Sequence, residues 1–292
     1  MTGASLELCL ASDPFDEWQR MLRFVNLKDD ERGEMARTVE ALLLRANEMV
    51  VQTYDYLRSF PETAEILGWE TGVDEEHLEE RRRFFTIWLS RTLGLDTSEE
   101  FARYLFRAGQ YHAGHGPRHI HTPTAYVTCS MGLVLSSFAR YMDDARLPAE
   151  TTALALAGWG KYLTAQLNQM LYGYQIAKEY ETGDIAVRVQ VYGRLRPMLG
   201  DIEFIVRAQS EARVSDVLAK FINYHPQLRH EALQRVWDSE EKQDSLWVQV
   251  TPRYVPLPGW RVLLNGRDLY FDSGFATPVA ENDQVAIFPP GR

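Results

Sequence analysis

The sequence predicts two folds joined end to end, an all-α domain over residues 1–183 and an α+β domain over residues 184–292. Three observations carry this reading. The apolar period changes near Gly183 from three and four residues to two. The 292 residues exceed what one compact core usually holds, and 45% hydrophobic content is enough to bury two. Charge divides at the same place: residues 186–292 hold 13 basic and 13 acidic residues, whereas residues 1–185 hold 18 and 28, the whole net charge of -10.

In the first half Met35, Val39, Leu42, Leu43, Ala46, Met49, Val50, Tyr54 and Leu57 recur at helical spacing, which predicts one long helix with a continuous apolar stripe. Pro61 restarts the chain as a short helix up to Gly68. The next helix starts at about Asp74 and places Leu78, Arg81 or Arg82, and Phe85 on one side. Ser98 is read as the N-cap of a helix in which Phe101, Tyr104, Leu105, Ala108 and His112 share the apolar phase, ended by Gly114, Gly116 and Pro117. Thr122 and Pro123 are read as cap and first-turn residue of a helix to about Tyr141, and Pro148 opens a last long helix to Glu181. Helices of this number and length suit a globin-sized domain.

In the second half Val187, Val189 and Val191, then Ile202, Phe204 and Val206, alternate as two strands joined by a turn. A helix carrying Val214, Val217, Leu218, Phe221 and Ile222 follows and stops before Pro226. Leu246–Val250, Arg261–Leu264 and Leu269–Phe271 read as strands, with Asn265-Gly266 as a tight turn and 237–259 as a looped insertion over a sheet edge. Strand, strand, helix and strands describe a β-grasp.

Composition excludes several functions. The acidic first half repels phosphate backbones, so nucleic acid is not an expected partner, nor is an anionic membrane surface. Cys9 and Cys129 lie in no metal-ligand spacing and suggest a reducing compartment. Without an apolar leader or spanning segment, a soluble cytoplasmic protein is expected.

His112, His115, His119 and His121 suggest a metal cluster, but Pro117 and the glycines break the helix that would align them, so the last three are read as loop residues. His112 alone has a defined phase. Spacing leaves it either a core histidine satisfied by hydrogen bonds or a ligand, and leaves Tyr54 a half-buried core tyrosine or a site residue.

Residues 17–180 resemble the sensor globins, the family of protoglobins and globin-coupled sensors. The resemblance rests on Phe24-Val25-Asn26-Leu27-Lys28-Asp29-Asp30, on Thr53-Tyr54-Asp55-Tyr56-Leu57, and on Arg107-Ala108-Gly109-Gln110-Tyr111-His112-Ala113-Gly114-His115-Gly116. It implies a haem b cofactor with His112 as the proximal iron ligand and Tyr54 on the distal side, where its phenol donates a hydrogen bond to bound dioxygen. Leu57, Leu78 and Phe85 are the accompanying haem-pocket candidates. The resemblance also implies a diatomic gas ligand, O2, NO or CO, and a homodimer through the last two helices of that half.

Residues 186–291 resemble the sulfur-carrier family of ubiquitin-like proteins, related to ThiS and MoaD. The matching segments are Val191-Tyr192-Gly193-Arg194-Leu195-Arg196, Val214-Ser215-Asp216-Val217-Leu218, Tyr224-His225-Pro226-Gln227-Leu228, Leu264-Asn265-Gly266-Arg267-Asp268 and Asp283-Gln284-Val285-Ala286-Ile287-Phe288-Pro289-Pro290. Working carriers end in Gly-Gly, whereas Gly291-Arg292 stands here, so a degenerate carrier that binds a partner is expected. That partner is a protein of sulfur transfer or molybdopterin synthesis. The expected function is a haem-based gas sensor with a β-grasp output and no enzymatic activity. The competing readings are an active sulfur carrier regulated by its helical half, and a globin that oxidises nitric oxide or acts as a peroxidase.

Overall fold

The computed structural model describes residues 6–241, 248–271 and 273–290. They form two compact units, one of residues 14–175, the other of residues 6–13 with the described residues from 176 onward. The first is helical and the second is a mixed-sheet β-grasp, the two fold classes the sequence predicts. The segment before Pro14, read from sequence with the helical half, belongs to the second unit, where Leu8 is buried and exchanges backbone hydrogen bonds with Tyr254.

The helical unit is built from α1 (Pro14–Phe24), α2 (Asp29–Leu44), α3 (Ala46–Ser59), α4 (Pro61–Leu67), α5 (Glu75–Leu93), α6 (Glu99–His112), α7 (Thr124–Asp144) and most of α8 (Ala149–Tyr180). Trp18, Met35, Leu42, Trp88, Phe101 and Trp159 lie in its core. The single helix expected through Met35 and Leu57 is two. The chain breaks at Arg45 (φ -107°, ψ 5°), and Leu43, placed on the apolar stripe by spacing, is 57% exposed. The cap of α7 is also displaced: Pro123 itself stands at the N-cap and offers no side-chain acceptor.

Asp74 and Ser98 cap α5 and α6 as residue type dictates, accepting from the backbone N–H of His77 and Phe101. The α6 and α8 backbones meet where both carry glycine. A Cβ on Gly109 would stand 1.8 Å from the Met170 carbonyl oxygen, and one on Gly173 would stand 1.9 Å from that of Phe106. This crossing fixes the last turn of α6, which ends at His112.

In the second unit β1 (Ile185–Val191) is followed by α9 (Leu195–Leu199), where only a turn was expected, then by β2 (Glu203–Ala208) and α10 (Val214–Tyr224). The five apolar residues named for that helix are all buried. After α11 (Arg229–Ala232), β3 (Leu233–Glu241) and β4 (Val248–Pro256) pair antiparallel as a separate ribbon, so the expected looped insertion is a paired structure. The strand expected at Leu246–Val250 lies partly outside the described residues. β5 (Arg261–Leu264), β6 (Arg267–Asp268) and β7 (Gln284–Phe288) complete a sheet of order β2-β1-β7-β5-β6, with β1 parallel to β7.

Asn265 and Gly266, at φ 49° and 82°, form the expected tight turn, since both central residues need positive φ. Leu269–Phe271, expected as a strand, is a 3-10 turn that buries Leu269 and exposes Tyr270 and Phe271. Gly291 and Arg292, on which the degenerate-carrier expectation turned, lie outside the described residues.

Candidate functional site

His112 is the last residue of α6, and its carbonyl accepts from the Thr122 N–H at 2.8 Å. Ala113 bridges His121, whose Nε2 lies 2.7 Å from the Tyr174 hydroxyl on α8, so the loop after His112 is tied back at both ends. The His112 Nδ1 is buried and has no hydrogen-bond partner. Burial, and then the charge of Arg81, push the pKa of the imidazole down to about 4. At neutral pH it carries no ring proton charge, the state a metal ligand needs.

Tyr54, on α3, is half-buried. Its ring packs edge-on against Phe85 at 6.1 Å and against Trp69 at 6.5 Å, and Phe85 stacks on Trp88 at 5.2 Å. The phenol donates to the Arg81 carbonyl at 2.9 Å, tying α3 to α5, and burial raises its pKa. Its proton is thus committed to the fold and must leave that carbonyl before it serves a ligand. Leu78, one turn before Arg81, is 3% exposed but stands apart from the main helical core. Leu57 is half-buried one turn after Tyr54.

Two residues that sequence reasoning passed over, Trp69 and His77, join this cluster. Trp69 Nε1 lies 3.2 Å from His77 Nδ1, and Arg81 Nε lies 2.9 Å from His77 Nε2. The available signal was His77 with Leu78 and Arg81 at helical spacing; that Trp69 closes over them depends on the link between α4 and α5. His115, His119 and His121 do not join His112 in a ligand set: among the described residues no three His, Cys, Asp or Glu side chains gather as a metal site.

The Protoglobin family model matches residues 16–180, more than half of the chain. The chain belongs to the Protoglobin family. The protoglobin domain is followed by a ThiS family domain, matched over residues 189–291. Among solved structures, the globin domain of the Geobacter sulfurreducens globin-coupled sensor is 20% identical, with a TM-score of 0.44 over 54% of this chain and 97% of that one. Small archaeal modifier protein 1 from Methanosarcina acetivorans is 21% identical, with a TM-score of 0.27 over 36% of this chain and 93% of that one. The Haloferax volcanii counterpart is 19% identical, with a TM-score of 0.27 over 37% and 100%. No curated protein matches significantly.

Membership in the protoglobin family implies haem binding, and the residues present fit that group. An uncharged imidazole with an unpaired buried nitrogen stands at the end of α6, and aromatic and aliphatic side chains of α3 and α5 supply apolar contact. No helix among the described residues is long and apolar enough to cross a membrane.

Proposed function

We propose that this protein is a haem b-based sensor of a diatomic gas, with its ThiS family domain as an output that binds a partner protein. The observation that carries the reading is the state of His112 within a protoglobin domain: a half-buried residue whose imidazole is uncharged at neutral pH and whose Nδ1 is buried without a partner. A buried polar atom left unmatched is costly, and an uncharged imidazole with no protein partner is free to serve as an iron ligand. When bound, haem iron supplies the position at which O2, NO or CO coordinates.

The chain's own residues do the rest. His112 would hold the iron, and Phe85, Leu78 and Leu57 would exclude water. Tyr54 supplies a phenol proton toward the ligand once it releases the Arg81 carbonyl. Because Gly109 and Gly173 bring the α6 and α8 backbones into contact, a shift of His112 presses on α8, the helix that continues toward β1. That route supports a sensing role without a catalytic step of its own.

Homodimerisation through α7 and α8 is part of the reading. From Thr124 to Phe138 the α7 sequence carries no charge, and Thr128, Cys129, Gly132 and Leu133 on it are exposed, which suits a helix face meeting its copy. In the output domain, exposed Tyr270 and Phe271 border a groove of about 250 Å³ that Trp260, Val262 and Phe275 help to line. The proposed partner there is a protein of sulfur transfer or molybdopterin synthesis.

The deciding experiment is the absorption spectrum of the purified full chain with added haem, followed by hydrogen exchange over residues 186–292 with and without gas on the iron. A shifted Soret band and ligand-dependent protection are expected. No Soret band rejects the haem reading; identical protection rejects the sensor.

A further inference from the structure

The face of α5 that carries Leu78 and Phe85 also carries His77 and Arg81, one helical turn apart. His77 is 3% exposed, and both its ring nitrogens meet N–H donors, Trp69 Nε1 at Nδ1 and Arg81 Nε at Nε2. Burial first, then the charges of Arg81 and Arg118, lower its pKa and keep it uncharged. An uncharged imidazole has one acceptor nitrogen, because the other bears the ring proton. One of the two contacts therefore sets donor against donor. If Nδ1 accepts from Trp69, the Nε2–H of His77 and the Nε–H of Arg81 face each other.

Charge pairing isolates the same residue. Arg82 pairs with Glu79, and Arg118 pairs with Asp74 and Glu80, the two carboxylates whose charges also reach His77. Among the described residues no carboxylate lies within ion-pair distance of Arg81.

We propose that the Arg81 guanidinium and the Nε2–H of His77 together hold a carboxylate. A carboxylate that draws the Arg81 N–H off Nε2 and accepts from both groups removes the donor conflict and leaves Trp69 donating to Nδ1. It also supplies the negative charge that Arg81 lacks, in a charge-assisted hydrogen bond. Two sources share this chemistry. One is a carboxylate on the rim of the porphyrin, which rests on the haem reading above; the other is a free carboxylate from solution, which does not.

The test uses the full chain, native and as Arg81→Met and Arg81→Lys, with far-UV circular dichroism to show that each variant folds. Haem-free protein is titrated with haem and with haem dimethyl ester, whose carboxylates are blocked, and melted in acetate against chloride. If the porphyrin is the source, Arg81→Met weakens haem binding about tenfold and leaves binding of the ester at the native value. If the source is solution, acetate raises the melting temperature of the native chain but not of Arg81→Met. Arg81→Lys, which keeps the charge, retains part of either effect.

Two results overturn the proposal. One is equal weakening of both porphyrins with no acetate effect, which makes Arg81 a structural residue. The other is no difference between native and Arg81→Met in either arm. A native chain that takes up no haem defeats the haem reading alone, and the acetate arm then decides the anion site.

Discussion

His112 in the helical unit and His225 in the β-grasp unit are both pushed down to about 4 by burial, and each keeps a buried ring nitrogen without a partner. Their surroundings differ. His225 is boxed by Tyr224, Phe221, Phe204 and Tyr180, with ring centroids at 4.8, 4.9, 5.1 and 6.3 Å. No such ring contact is made by His112 among the described residues; its imidazole ends a helix and feels the charge of Arg81. Burial and a depressed pKa therefore do not by themselves mark a ligand. The His225 imidazole is enclosed by aromatic faces, whereas that of His112 is free of ring contacts among the described residues and open to the ligand role proposed for it.

The comparison breaks most sharply through haem retention. His112→Ala should lose haem completely by Soret absorbance, while His225→Ala, like His115→Ala, His119→Ala and His121→Ala, should keep it. Full haem content in the His112 variant would put the two histidines on the same footing. Gly109→Ala comes next, since its methyl meets the Met170 carbonyl and must part α6 from α8; a loss of about 3 kcal/mol in urea unfolding is expected, with haem affinity falling alongside.

The pH dependence of the haem-free chain sharpens the pairing. His225 titrates from an ordinary 6.5 when unfolded and at about 4 when folded, so its contribution is fully present above 6.5 and is lost as pH falls from 6.5 toward 4. His225→Phe should flatten that part of the stability profile; an unchanged slope would mean that the ring is not held uncharged by its aromatic box. The smallest effect belongs to Tyr54→Phe. Losing the bond to the Arg81 carbonyl should cost about 1 kcal/mol and leave haem loading normal, and stopped flow should show faster dioxygen release. Unchanged release would leave Tyr54 as a strut between α3 and α5.

What could be read from sequence followed local rules. Asp74 and Ser98 begin helices because their oxygens accept orphan N–H groups, and Asn265-Gly266 turns because both residues tolerate positive φ. His112 and Tyr54 stood out by apolar phase and by motif. The break at Arg45 was hidden because apolar spacing runs through it, although Leu43 and Leu44 face outward. The Leu195–Leu199 helix was masked by Pro197, and the β3-β4 ribbon by the lack of regular alternation. The Trp69, His77 and Arg81 cluster required a loop aromatic to close on a helix face, a tertiary event that no periodicity records.

The pairing of Leu8 with Tyr254 has a consequence for how the chain is made. Arg229 donates to the Ala11 carbonyl and to the Asn223 side chain, which itself accepts from the Ala11 N–H, so these contacts tie the early segment to residues synthesised late. As the chain leaves the ribosome, the helical unit holds every residue of its core once Gln175 is out, while Leu8 and Leu10 wait for Tyr254 and for α10. Closing so long a loop is slow, and until it closes two apolar side chains stay uncovered. Leu8 and Leu10 thus find their place only after the strand that carries Tyr254 has been made, later than the helical core they precede in sequence.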